Sequence, residues 1–313
     1  MSSDGPGRKS RLAMKDVLLW SEGDAPKPGP RQIGIHTSTA GGVSKAAERA
    51  YRLGANTFQI FSSSPRQWKP YRLSTTECQA MRAYRKKHAI APLVIHCNYL
   101  VNLASVTPEF HRQSIQSFRG ELERAIALSA EFLVLHPGSF RGRTREEGLA
   151  LVASSIAQAA KGLALEESNL TVLIENTAGA EFSLGGSFEQ VAELLDRLRP
   201  VCPAGACIDT CHTHVSGYDI VSEHGWRQTM QTLDDTIGLK KVFVWHCNDA
   251  KDLCGSKRDR HEQIGKGTIG LEPFRRLLND HRTAHAAFIA ETPIDEVRDD
   301  LRNVERLKSL VQE

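Results

Sequence analysis

The sequence predicts a protein of the α/β class, a single (β/α)8 barrel with its active site at the C-terminal ends of the strands. Three observations carry this expectation. Eight short aliphatic runs recur, mostly about 35–45 residues apart. The stretches between them are rich in helix formers at helical spacing. Seven of the eight runs finish on His, Glu or Asp, and a barrel opens every strand's C-terminal end onto one face.

Residues 1–30 stand apart. "MSSDGPGRKS" and "SEGDAPKPGP" are rich in Gly, Pro and Ser around a short "VLLW", which reads as a flexible leader. The barrel domain is expected over residues 31–313. Its first strand is "QIGIH" at 32–36, followed by the helical "GVSKAAERAYRLG". The second, "TFQIF" at 57–61, is the one run that does not end on a titratable group. "LVIH" at 93–96 and "FLVLH" at 132–136 flank the helical "SFRGELERAIALSA". "TVLIE" at 171–175 leads to the helical "SFEQVAELLDRL". "ACID" at 206–209 comes next. "VFVWH" at 242–246 opens into a glycine-punctuated loop, and "AFIAE" at 287–291 closes the series. Such short apolar runs suit strands covered on both faces. A doubly wound open sheet is disfavoured, because no GxGxxG follows the first strand.

Composition sets limits. The chain has 313 residues, 40% hydrophobic and 25% charged, with a net charge of only +3. Contact with nucleic acid must therefore come from a local cationic face. No apolar run reaches the ~18 residues of a membrane helix, and no secretory signal is visible. Seven cysteines, an odd number placed in apparent strands and strand ends, read as reduced thiols in a cytoplasmic protein.

The strand ends carry the chemistry. His96, His136, Glu175, Asp209, His246 and Glu291 would meet in one basin without a Ser or Cys nucleophile pattern. Imidazole and carboxylate suit Zn2+, Mn2+ or Fe2+. Further candidates lie downstream: His212, three residues after Asp209, and the pair Asp259 and His261. Nine ligands are too many for one ion and fit three if a carboxylate bridges two of them. Paired ions can activate a water and stabilise a leaving oxygen. His36 is set aside as a hydrogen-bonding neighbour of the ligands. His88, His111, His214, His224, His281 and His285 are read as surface residues, and "CIDTCH" lacks the spacing of a thiolate zinc site. Lys257, Arg258 and Arg260 fit phosphate contacts or a solvated charged loop equally well.

The motifs "IGIHTSTAGG", "FSSSPRQW", "HCNYLVNLAS", "LHPGS", "IENTAG", "CIDTCHTHVSGYD", "HCNDAK", "GSKRDRHEQIGKGTIG" and "ETP" occur in that order. Over about residues 31–311 the chain resembles the endonuclease IV family of metal-dependent apurinic/apyrimidinic endonucleases. The resemblance implies a barrel with three zinc ions, manganese in some members. It assigns His96, His136 and Glu175 to the first ion. Glu175, Asp209, His246 and Glu291 fall to the second, and His212, Asp259 and His261 to the third. Glu175 would bridge and Glu291 would orient the nucleophile. The implied reaction cuts double-stranded DNA on the 5′ side of an abasic nucleotide, leaving a 3′-hydroxyl and a 5′-deoxyribose phosphate. Removal of 3′ blocking groups is also implied. Arg66, Tyr99 and Leu100 match the loops that enter the minor groove and fill the gap left by the flipped nucleotide. The protein is expected to act as a monomer on the nucleoid. Cys97 and Cys247, each directly after a ligand histidine, depart from the family's usual residues.

Two rivals stay open on sequence. One is a sugar isomerase or epimerase on the same barrel, which has no use for the third ligand set. The other is a non-catalytic binder of damaged DNA, which has no need to retain every ligand. On the unaided pattern, Tyr99 and Leu100 also fit the start of a buried helix.

Overall fold

The computed structural model describes residues 29–69 and 71–312. Most of the expected leader, residues 1–28, lies outside them. Eight parallel strands close into a barrel: β1 (Gln32–His36), β2 (Thr57–Phe61), β3 (Leu93–His96), β4 (Phe132–Leu135), β5 (Thr171–Glu175), β6 (Ala204–Asp209), β7 (Val242–His246) and β10 (Ala287–Ala290). β1 pairs with both β2 and β10, so the first and last strands are neighbours. A two-residue antiparallel ribbon, β8 (Asp249–Ala250) with β9 (His261–Glu262), rises after β7.

The strands form where the sequence runs apolar, and their two faces have different partners. Val94, Val134, Leu173, Cys207, Val244, Ala287 and Ile289 form a separate apolar cluster, the packed plug inside the barrel. Alternate residues such as Phe58, Ile60, Ile95, Ile174 and Phe288 pack outward with the helices. Gly34 is needed where β1 meets β2: a Cβ there would lie 2.0 Å from the Thr57 carbonyl oxygen.

Helices fill the intervals: α1 (Val43–Arg52), α2 (Thr75–His88), α3 (Pro108–Leu128), α4 (Arg145–Ala160), α5 (Phe188–Leu198), α6 (Thr210–Ser216), α7 (Glu223–Thr236), α8 (Glu272–Asn279) and α9 (Asp299–Ser309). Local sequence sets several starts. Ser74 with Glu77 and Thr144 with Glu147 form reciprocal capping boxes on α2 and α4. Pro108 opens α3, where a missing N–H costs nothing. Among the described residues no helix is long and apolar enough to cross a membrane. The seven cysteines are unpaired, six of them buried and Cys254 exposed.

Candidate metal centre

Strand alternation explains how the site assembles. Residues two apart share a face, so the inward series Val94–His96, Leu173–Glu175, Cys207–Asp209 and Val244–His246 each runs from the apolar plug to a ligand-type side chain at the rim. His136 and Glu291 follow β4 and β10 by one residue. Ligand-type atoms of His96, His136 and Glu175 lie within 4.8 Å of one another, and so do those of Glu175, Asp209, His246 and Glu291. His212, Asp259 and His261 form a further group at the same limit. All nine sequence-predicted ligands are thus gathered in one place.

Glu175 is the hub. It is fully buried. Its Oε2 lies 3.0 Å from His136 Nε2 and 3.3 Å from His96 Nε2. Its Oε1 lies 3.1 Å from His246 Nδ1 and 3.3 Å from His212 Nδ1. Asp209 links the groups, with Oδ2 4.0 Å from His246 Nδ1 and 3.6 Å from His261 Nε2. Asp259 faces His212 Nε2 and His261 Nε2, both at 3.2 Å.

The protonation states follow from this crowding. Burial would raise the Glu175 carboxyl, but His136 and His246 outweigh it and hold the group well below the ordinary carboxylate range. Burial likewise opposes charge on His212, yet Asp209 and Asp259 lift it well above its ordinary value. His261 is pushed up to about 9 against burial, by the nearby carboxylates of Asp209 and Asp259. His36 moves the other way: burial lowers it despite Glu291.

The donor set fits divalent ions. Glu175 Oε2 and His261 Nε2 are buried and take no hydrogen bond, although other ligand-type atoms stand within 4 Å of each. Buried polar atoms are rarely left so. Ligand-type atoms crowded together with these two left unbonded are what a bound cation would account for.

Other sequence-predicted residues sort differently. Arg66 is exposed and lines a cleft of about 830 Å³ together with His36, Thr37, Phe61, Ser64 and Ile294. The cleft therefore runs from the rim of the metal-type cluster to the loop after β2. Tyr99 is 63% exposed and Leu100 half-buried. The helix-start alternative for this pair fails, because α3 does not begin until Pro108. Lys257, Arg258 and Arg260 are exposed, but Arg260 holds Asp252 with two bonds of 2.7 and 2.8 Å. His214 corrects the surface reading. It is buried, with Nε2 3.3 Å from the Thr268 hydroxyl. His88 and His111 are half-buried, His88 against the rings of Tyr51 and Tyr84, while His224, His281 and His285 are exposed.

Sequence reasoning passed over the asparagines that follow ligands. Asn98 Nδ2 donates to the Ser64 and Gln67 carbonyls, both at 3.0 Å, and ties the loop bearing Arg66 to the loop bearing Tyr99. Asn176 Oδ1 accepts from the Asp209 N–H, and its carbonyl meets His212 Nδ1 at 2.9 Å. Asn248 donates to Asp209 Oδ2 at 2.6 Å and accepts from the Glu291 N–H. The recurring "HCN" at 96–98 and 246–248, with "EN" at 175–176, was the available signal. Asp249 is no ligand. It is fully buried, and its carboxylate accepts from the N–H groups of Gly265, Gly267, Ile269 and Gly270. That bonding folds the "IGKGTIG" loop back onto the ribbon.

Fold and site together define a barrel of the xylose isomerase-like type, with a cluster of metal-ligand-type side chains at its mouth. Residues 47–310 match the sequence profile of the xylose isomerase-like TIM barrel family. Within it, the chain belongs to the endonuclease IV family. It is 48% identical over 281 residues to the probable endonuclease 4 of Solibacter usitatus, covering 89% of this chain and 96% of that protein. It is 41% identical to the probable endonuclease 4 of Chloroflexus aurantiacus over 90% of this chain and 98% of that one. The crystal structure of endonuclease IV from Thermus thermophilus superposes with a TM-score of 0.80 at 36% identity, covering 89% of this chain and 98% of that one. A D-tagatose 3-epimerase-like protein shares the fold, with a TM-score of 0.66 at 19% identity over 89% of this chain and 96% of its own.

Proposed function

We propose that this chain is a DNA-repair endonuclease that hydrolyses the phosphodiester 5′ to an abasic nucleotide, using three divalent ions, zinc or in part manganese. It leaves a 3′-hydroxyl and a 5′-deoxyribose phosphate, and the same centre removes 3′-blocking groups. The observation that carries the reading is the single cluster of nine imidazoles and carboxylates, in which His212, Asp259 and His261, beyond the barrel strands, form a second group beside the strand-end one. A sugar epimerase has no use for that second group.

Charge explains why ions are required. Glu175, Asp209, Asp259 and Glu291 bring four carboxylates to one basin. Unneutralised, they would repel a phosphodiester; three divalent cations (+6 against −4) make the basin attractive to one. When bound, the ions supply Lewis acidity toward phosphate oxygens and lower the pKa of an attacking water. His96, His136 and Glu175 would hold the first. Glu175, Asp209, His246 and Glu291 would hold the second, and His212, Asp259 and His261 the third. Glu291 hydrogen-bonds the attacking water and sets its line of approach. Arg66, Tyr99 and Leu100 replace the stacking lost when the sugar is drawn out, a step that is least unfavourable where the base is already missing. Lys257 and Arg258 hold flanking phosphates, with Arg260 in support.

The test is a duplex carrying one tetrahydrofuran abasic analogue, incubated with the protein, with the protein plus chelator, and with Glu175→Gln. A single nick 5′ to the lesion is expected, absent in the other two lanes, with about three metal ions per chain. Intact duplex beside metal-loaded protein, or turnover of a ketose, overturns the reading.

A further inference from the structure

We infer that Gln59 is a positioning residue of the centre: its amide selects which nitrogen of His246 faces the ions and holds Glu291 beside it. The inference rests on the metal-centre reading above and goes further, to a side chain that ligates nothing.

Gln59 is the third residue of β2 and fully buried. Its strand neighbour across β3 is Val94, part of the apolar plug. An amide in such a place must be bonded or it destabilises the fold. Its bonds all go to the centre. Nε2 donates to Glu291 Oε1 and lies 3.0 Å from His36 Nδ1. Oε1 lies 2.8 Å from His246 Nε2.

The orientation of the amide follows from what its partners can do. An ionised carboxylate only accepts, so the NH2 group must face Glu291 and the oxygen must face His246. An amide oxygen also only accepts, so His246 donates from Nε2. That leaves Nδ1 for the cluster, and Nδ1 is the atom found 3.1 Å from Glu175 Oε1 and 3.2 Å from Glu291 Oε2. The second amide proton points to His36 Nδ1, which places the proton of His36 on its Nε2. One neutral side chain thus orients two histidines and a carboxylate.

His96 shows that the choice is local. There Nδ1 meets the Cys97 carbonyl at 2.8 Å and Nε2 faces Glu175. His246 is turned the opposite way, and Gln59 is the group bonded to its far side. Outer partners of this kind typically change metal affinity by about 10–100-fold when removed.

The experiment compares zinc-loaded wild type with Gln59→Met, which keeps length and loses every hydrogen bond. Imidazole 15N spectra of the wild type should show His246 protonated at Nε2, with that proton shielded from exchange. In Gln59→Met the proton signal should lose its protection, and chelator competition should show one zinc bound roughly 10–100-fold more weakly. On the abasic duplex, kcat should fall while KM stays. A wild-type spectrum with the proton on Nδ1 overturns the inference, and decides it even if the variant fails to fold. Equal zinc affinity in both proteins overturns it as well and leaves the metal-centre reading standing. A wild type that binds no zinc overturns both.

Discussion

The six strand-end candidate ligands and the loop group beyond the strands, His212 on α6, Asp259 before β9 and His261 in β9, do the same proposed work on different supports. Glu175, Asp209 and His246 are completely buried, and each is anchored by a strand whose next inward residue belongs to the apolar plug. Asp259 sits on the loop before β9, with its side chain 51% exposed. Its position depends on the ribbon, on the Lys251 N–H to Arg260 carbonyl bond of 2.9 Å, and on Asp249 gathering the glycine loop beneath it. Precision comes from the barrel in the first group and from a chain of hydrogen bonds in the second. The first should tolerate loop changes and fail with its charges. The second should fail by degrees.

Asp209→Asn tests whether the two groups are separable. Asp209 touches both, through His246 and His261. It also caps α6, accepting from the His212 N–H at 2.8 Å. Asparagine keeps the shape and the cap but removes the charge. Nicking of the abasic duplex should fall by roughly 10²–10³-fold, the scale of losing one preorganised electrostatic group at a reacting centre. Metal analysis should show more than one ion lost. Loss of a single ion would mean that the groups are independent.

Asp259→Asn confines the damage to the loop group. Only the third ion should weaken, with activity down roughly 10–100-fold and with the melting temperature nearly unchanged. An unchanged metal count would remove Asp259 from the ligand set.

The loop group also titrates in an accessible range. In the chelated protein, His261 has its pKa raised from 6.5 to about 9 by Asp209 and Asp259, against burial. The folded value lies above the unfolded one, so this pairing stabilises the metal-free fold fully below pH 6.5. The contribution is lost as pH rises through about 9. The ions need the same imidazole unprotonated. Between pH 6.5 and 9 the chelated protein should therefore melt at falling temperatures, while zinc-loaded protein gains. Parallel slopes for the two forms would deny that ions and protons compete for this histidine.

Much of this was legible before any coordinates. An acid or imidazole at the end of a buried apolar run is a costly choice, and seven in eight strands converge only in a barrel. The supporting amides were less legible, because Asn98, Asn176 and Asn248 bond to backbone atoms far away in sequence. Gln59 was hidden for the same reason: its partners His246 and Glu291 lie 187 and 232 residues distant. The burial of His214 depends on loop packing around Thr268, which periodicity does not encode. The exposure of Tyr99 depends on where α3 starts, and "NYLVNL" alone does not fix that.

The smallest effects belong to the basic loop, where the two arginines flanking Asp259 are not equivalent. Arg260 grips Asp252 through two short bonds, whereas Arg258 reaches the same carboxylate only at 3.6 Å. A guanidinium already paired offers less net charge to a phosphate. Arg258→Ala should therefore weaken DNA binding a few-fold at low salt and reduce the slope of log K against log salt by about 1, with metal content intact. Arg260→Ala should change that slope less. It also frees Asp252 and loosens the segment carrying both Asp259 and His261, so its signature should be weaker retention of one ion under chelator. Equal salt slopes with equal metal retention would show that the pairing seen here does not persist on DNA. The loop would then act as a plain cationic surface, separate from the third ligand set.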